Sequence, residues 1–448
     1  MESKKDIRPS VVAGQFYPKK KEELEKMIND FLLKAKVRNY PKVTGLIVPH
    51  AGYIYSGPVA AEAFKQINQD IKEVIILAPT HHIRFQGASI GKFEYYSTPL
   101  GKVELSDKVE NLLKEEIFVS VPDTHKREHS IEVEIPFLQE VLGDFKIIPI
   151  ITGSVDPKKL ADTLMNYVNE GTLIVVSSDL SHYHSYESAV ELDRSCINNI
   201  INFDFDELEE REACGKVPIL TLMYLADKLD WEGKLVDYRN SGDTAGNNNR
   251  VVGYTSIVFY RPPLKREDQE FLLNLSRKTI DNYLKNGSKP KLNRREISQE
   301  LKKPSGCFVT LFKEGQLRGC VGCIFSEKEL YQSIIENTIN AAFKDARFPP
   351  VTEDEIDDIK IEISILSDPK ELSFKDSEEL LSKLTPIKDG VLLENGPRSA
   401  TYLPQVWKQL PDKEEFLCRL CMKAGLPPES WKENDTKIKI YRDFAFCE

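Results

Sequence analysis

Seven histidines occur in this 448-residue chain, none beyond His184, and they fall into four clusters. These are "PHAGYIYSG" with His50, "PTHH" with His81 and His82, "THKREHSIE" with His125 and His129, and "SHYH" with His182 and His184. Imidazole titrates near neutral pH and is the commonest metal ligand, so such clusters point to proton transfer or metal binding. Three of them follow apolar runs directly: "LIVPH", "IILAPTHH" and "IVVSSDLSH". Each run reads as a strand with ligand-type residues just past its carboxyl end. In open α/β sheets ligands bind at that edge, where loops diverge and leave a crevice. If the strands are neighbours, His50, His81 or His82, and Asp179 with His182 share one pocket. Neutral imidazoles with a carboxylate suit a borderline divalent ion, and two histidines with one carboxylate is the pattern of non-haem iron sites. Adjacent residues point differently, so one member of the His81–His82 pair is expected to ligate.

The fourth cluster offers an acid–base group. In "EHSIEVEIPFLQEVLG", Ile131, Ile135, Leu138 and Leu142 recur at helical spacing, which predicts a helix with Glu128 and His129 at its start. A helix N-terminus disfavours imidazolium, so His129 is expected to be neutral. A histidine in a loop is commonly just a hydrogen-bonded polar residue, and His125 and His184 are read that way.

The elements that must position these groups divide into two textures. Up to about Tyr260, near-continuous apolar runs at 43–49, 73–79, 145–151 and 172–178 alternate with helical patterns. Such runs suit strands covered on both faces. The alternation predicts a layered α/β domain with a parallel or mixed sheet, closed by a last strand at 251–260. "RPPLKRED" then reads as a linker, because Pro262 and Pro263 interrupt helix and sheet alike. The domains expected are 1–262 and 266–448. The second is smaller and α+β: a helix ending at Gly287, a hairpin around "KEGQ", a capping box from Ser326 and Glu329, and a strand with Ile359, Ile361, Ile363 and Ile365 on one face.

Composition narrows the function. A formal charge of −10 argues against a nucleic-acid surface. No apolar run is long enough to span a bilayer, and a cytoplasmic protein is expected. Eight cysteines in this length then read as thiols or ligands rather than a disulfide framework.

Several motifs, taken in order, carry a resemblance. "VAGQFYP", "VPHAGYIYSGPVAAEAF", "LAPTHH", "EHSIEVEIPFLQ", "SSDLSHY", "ACGKVP" and "VVGY" resemble the Memo family across residues 7 to 260. "LRGCVG", "FKDARFPPVTEDEI" and "ATYLPQVW" resemble the AMMECR1 domain family across 266 to 448. The resemblance implies a fold like that of LigB-type extradiol dioxygenases. It also implies a pocket in which two histidines and a cysteine hold iron or copper, and a pathway shared with a radical-SAM partner. Carried over by position, the histidines are His50 and His81, with Asp179, His182 and His129 as further pocket residues. The cysteine does not carry over: Thr244 stands in its place, beside Asp243. A carboxylate ligates a hard ion better than a threonine hydroxyl does, so Asp243 is expected as the third ligand and Fe(II) as the favoured ion, with zinc or copper as alternatives. Cys214 is a further candidate, although a small buried residue is its commoner role.

Chemistry in the second half is thinner. Cys320 and Cys323 form a C-x-x-C, as do Cys418 and Cys421, but the interval between the pairs is far longer than in a zinc ribbon. Arg318 is placed to depress the pKa of Cys320, although a buried structural cysteine is the commoner outcome, and Arg347 to hold a carboxylate or phosphate or to act as a packing clamp. Two functions follow. One is a metal-dependent enzyme, dioxygenase-like or another oxidoreductase, with His129, His182 and Asp179 as acid–base groups. The other is a binding or adaptor protein that uses the same pocket for a peptide or small ligand without turnover.

Overall fold

In the computed structural model, which describes residues 6–433 and 435–448, the chain divides into two compact units, Met1–Pro262 and Pro263–Glu448. The first is built on a mixed sheet. Its centre is four parallel strands in the order Lys42–Val48, Thr172–Ser177, Glu73–Pro79, Lys146–Thr152. Val251–Arg261 adds antiparallel beside Lys42–Val48, and Glu232–Asn240 pairs antiparallel with it in turn. Ala88–Ile90 continues the other side antiparallel to Lys146–Thr152, and Phe118–Val119 pairs parallel beyond it. The central strands are buried along nearly their whole length, which is why they read as apolar runs without alternation.

The order of the strands matters for chemistry. Lys42–Val48, Thr172–Ser177 and Glu73–Pro79 are parallel neighbours, so their carboxyl ends lie on one edge. His50, Asp179 and His81 each stand two residues past one of these ends.

One element departs from expectation. The helix expected to start at Glu128 begins only at Ile135 and runs to Val141, with Pro136 in its first turn. Residues 130–134 form consecutive turns instead, closed by the N–H of Val133 on the His129 carbonyl at 3.0 Å and that of Glu134 on Ile131 at 3.2 Å. Buried side-chain carboxylates organise this stretch: Glu128, Glu132 and Glu134 are each at most 1% exposed. Proline's fixed φ and missing N–H suit the first turn of a helix, so the helix starts around Pro136.

The second unit holds two antiparallel sheets with separate cores. In the first sheet the order is Gln316–Cys323, Cys307–Lys313, Ile359–Leu366, Asp443–Cys447. Helices Arg266–Asn286 and Leu330–Phe343 share its core, where Leu272, Leu275 and Ile334 join Val309, Ile361 and Ile363. The first helix ends on left-handed Gly287, as expected. The second is not capped as expected. Glu329 is at its N-cap position without a side-chain cap, and its carboxylate pairs with Arg294, while Ser326 Oγ accepts from Lys328 N–H and meets Ser333 Oγ at 2.8 Å. Around the second sheet, Trp407 and Phe416 stack at 3.6 Å beside Trp431. Among the described residues no helix is long and apolar enough to cross a membrane.

Candidate metal centre

His50, His81 and His129 converge: one ligand atom from each lies within 4.8 Å of the others. The rings of His50 and His81 meet edge to face at 5.0 Å, and His129 lies 4.7 Å from His81 and 5.3 Å from His50. His50 is 2% exposed, whereas the His81 side chain is 29% exposed, so the cluster has a buried side and an open one.

The rings of His50 and His81 are each held from one side by the protein. Glu128 accepts the backbone N–H of His81 at 2.7 Å and meets its Nδ1 at 2.8 Å. The same carboxylate accepts the backbone N–H groups of His129 and Ser130. Burial alone would raise the Glu128 pKa, but its hydrogen bond and charge contact with His81 outweigh that and hold it well below the usual carboxylate range. At His81 burial lowers the pKa, yet Glu128 outweighs it and the net shift is upward.

At His50 a hydrogen-bond count fixes the tautomer. Ser177 Oγ lies 2.8 Å from His50 Nδ1, 2.6 Å from the Ser130 carbonyl and 2.8 Å from Glu134 Oε1. A serine has one proton to give, and the carbonyl can only accept. The serine therefore donates to Ser130 and accepts from His50 Nδ1–H. Burial pushes the Glu134 pKa well above the usual carboxylate range. His50 Nε2 is left with its lone pair facing the cluster. Burial, then the charges of His129 and His81, keep His50 neutral by pushing its pKa well down. His129 is also neutral, at about 4, but the main cause is burial rather than a helix terminus.

Behind the cluster lies a buried charge network. Arg8, 1% exposed, pairs with Glu132 and donates to the carbonyls of His125 at 3.1 Å and Glu128 at 2.5 Å. Glu132 in turn accepts the N–H groups of Val11 and Val12 and the hydroxyl of Tyr17 at 2.6 Å. This ties the N-terminal segment to the loop that carries His129. Arg8, Glu132, Glu134 and Ser177 were not singled out from the sequence. A usable signal is present in "SIEVEI", where acids alternate with β-branched residues beside a histidine.

The family model described as Memo-like protein matches residues 8–258. The chain belongs to the Memo family. The AMMECR1 family model matches residues 273–446, so the chain carries an AMMECR1 domain as well. A MEMO1 family protein of Sulfolobus acidocaldarius is 36% identical over 281 residues, covering 56% of this chain and 99% of the relative. One from Aquifex aeolicus is 37% identical over 266 residues, with shares of 56% and 99%. Among solved structures, uncharacterized protein PH0010 from Pyrococcus horikoshii is 37% identical, covers 41% of this chain and 93% of its own, and superposes with a TM-score of 0.39.

Within the Memo unit the other predicted residues separate clearly. Asp179 joins the cluster: its Oδ1 accepts the His50 N–H at 2.9 Å, and its Oδ2 lies 4.0 Å from His50 Nε2. Burial raises its pKa to about 7. Cys214 Sγ is 3.3 Å from His50 Nε2 and accepts the Asp179 N–H at 3.2 Å. Its thiol is pushed up to about 12 by burial and by Asp179, so it is protonated and can donate to His50. Gly215 permits this approach, because a Cβ there would lie 2.6 Å from that of Ser178. His182 is half-buried, with Nδ1 on the Leu180 carbonyl at 2.8 Å, while His82 is exposed.

Asp243 is engaged elsewhere. It is the third residue of the short helix Ser241–Ala245, where its Oδ2 accepts the Asn240 N–H at 2.9 Å in a capping box and its Oδ1 accepts from Tyr186 OH at 2.8 Å. Both oxygens serve local structure, and the third ligand-type group with His50 and His81 is His129. Thr244 Oγ1 is buried with no hydrogen-bond partner. His125 is structural, between Tyr96 OH at 2.9 Å and the Ser89 carbonyl at 3.2 Å. His184 pairs with Glu212 at 2.7 Å.

In the AMMECR1 unit, Arg318 forks onto Glu355 at 2.6 and 3.2 Å, and Arg347 onto Asp345 at 2.7 and 2.9 Å. Asp345 also accepts the Cys320 N–H, and Arg347 donates to the Cys320 carbonyl. Both arginines are clamps. The two C-x-x-C pairs sit apart, since Cys320 and Cys323 lie on the first sheet and Cys421 packs in the core of the second.

Proposed function

We propose that the Memo unit holds one divalent transition ion, Fe(II), among His50, His81 and His129, and acts as a metal-dependent oxidoreductase on a small molecule. The observation that carries this is the convergence of three imidazoles, two of them held neutral and two, His50 and His81, oriented by the protein through Nδ1. The donor set fits the ion: neutral imidazoles suit iron, zinc and copper alike. When bound, such an ion supplies Lewis-acid polarisation and a template for reactants.

The chain's own residues do the rest. Glu128 and Ser177 fix the rings of His81 and His50. Asp179, titrating near neutrality, holds or releases a proton beside His50, and His182 presents Nε2 as a second acid–base group. A cleft of about 510 Å³, lined in part by Thr80 and Cys214, brings Arg84 and Lys216 to the same sheet edge, which suits an anionic substrate. A radical-SAM protein is the expected pathway partner.

A second reading has its own support: the Cys214 thiol caps the His50 lone pair, as in a pocket that binds a small ligand or peptide without metal. Metal content of the full chain, purified without oxygen, separates the two. One equivalent of iron, absent from the His50→Ala/His81→Ala variant, supports the metal reading. Metal-free protein that also fails to take up added Fe(II) or Zn(II) overturns it.

A further inference from the structure

The C-x-x-C of the AMMECR1 unit suggests that Cys320 and Cys323 act together. Strand geometry separates them, because residues three apart on a strand point to opposite faces. The hairpin register puts Cys320 opposite Thr310, whose hydroxyl donates to its sulfur at 3.3 Å. It puts Cys323 directly opposite Cys307. Opposed residues on antiparallel strands have Cα atoms roughly 4.5–5.5 Å apart. That lies within the range of roughly 4.4–6.8 Å that a disulfide spans. The one irregularity in this pairing falls between Leu311 and Phe312, away from the two cysteines.

The pair is also differentiated. Cys307 is fully buried in the core beneath helix Leu330–Phe343, and Asn337 Nδ2 from that helix donates to its sulfur at 3.3 Å and its carbonyl at 3.1 Å. Cys323 is half-buried and lines a cavity of about 560 Å³, with Phe325, Lys328, Ser333 and Glu336 also on its wall. The neighbouring Cys307 thiol lowers the Cys323 pKa, and Cys323, with burial, raises that of Cys307.

We propose that Cys323 and Cys307 form a thiol–disulfide exchange site that accepts a small disulfide from the cavity beside Cys323 and closes into a Cys307–Cys323 disulfide. Cys323 is the attacking sulfur. As a thiolate it bonds to one sulfur of the disulfide RSSR and expels RS⁻, which takes up a proton. Cys307 then gives up its proton, attacks the Cys323 sulfur and releases the second RSH. Two protein thiols and one RSSR become one protein disulfide and two RSH, so the protein loses the two electrons that the small disulfide gains.

The test uses the full chain with oxidised glutathione at neutral pH, followed by alkylation and peptide mapping. The expected product has lost two of its eight thiols and contains one Cys307–Cys323 peptide. Cys307→Ser is expected to stop at a glutathione adduct on Cys323, Cys323→Ser to give neither product at this hairpin, and Cys320→Ser to react as wild type. A Cys320–Cys323 bridge overturns the proposal. So does adduct formation at other cysteines while Cys307 and Cys323 stay reduced. If Cys307→Ser does not fold, the wild-type peptide map decides alone.

Discussion

The histidine pocket of the Memo unit and the arginine corner of the AMMECR1 unit both gather charged and polar side chains at the end of a sheet, but they satisfy them differently. At the corner, Arg347 closes on Asp345, and Arg318 with Lys313 closes on Glu355, which also accepts the Thr352 N–H in a capping box. The acids are saturated and their pKa values are held down by those pairings. In the pocket, His50 and His81 are anchored through Nδ1 while a ligand atom of each of the three histidines faces its neighbours. Closed pairs hold a structure together, whereas converging open valences are what a ligand needs.

The comparison can be sharpened by substitution. The largest effect is expected behind the pocket, where Arg8→Met leaves Glu132 buried without its cation. Breaking one side of a buried pair costs about 3–5 kcal/mol. Chemical denaturation is expected to show a loss of that order, partly recovered by adding Glu132→Gln. A loss under about 1 kcal/mol would mean that the network does not anchor the loop.

Next comes acid sensitivity. His125 has an unfolded-state pKa of 6.5 and a folded value of about 4, set mainly by burial. As pH falls through 6.5 the unfolded chain binds the proton first, so stability declines until about pH 4 and this contribution is then flat. The difference corresponds to roughly 3 kcal/mol. In His125→Gln the slope of stability against pH between those limits is expected to be shallower, whatever the absolute stability. An unchanged slope would contradict the assignment.

A smaller effect is expected from loosening one anchor. Glu128→Gln keeps the shape but removes the charge that orients His81, and metal affinity should fall about 10- to 100-fold. Calorimetric titration with Zn(II) checks this. The smallest change belongs to the closed corner: Arg347 is 56% exposed, so Arg347→Ala should cost at most about 1 kcal/mol and leave metal binding unchanged.

Much of this architecture was legible in the sequence. The apolar runs at 43–49, 73–79, 145–151 and 172–178 each became a central strand within a residue or two, because strands buried on both faces are defined by hydrophobicity alone. The strand ends likewise placed His50, His81 and Asp179 correctly on one edge. What failed was local. Ile131 and Ile135 keep helical spacing, but residues 130–134 fold as turns around buried carboxylates, and spacing cannot register a hydrogen bond to Arg8 or Ser177. Asp243 sits in a setting that spacing does not register either: an acid three residues after Asn240 completes a helix cap, and both its oxygens are engaged there.

His129, rather than Asp243, has a ligand atom beside those of His50 and His81 and is proposed to complete their set. Zn(II) affinity of the full chain, measured for His129→Ala and Asp243→Asn beside wild type, tests it most directly. The expected result is at least a tenfold loss in His129→Ala, about 1.4 kcal/mol or more, and near wild-type affinity in Asp243→Asn with some loss of stability from the broken cap. Wild-type affinity in His129→Ala together with a tenfold loss in Asp243→Asn would contradict it.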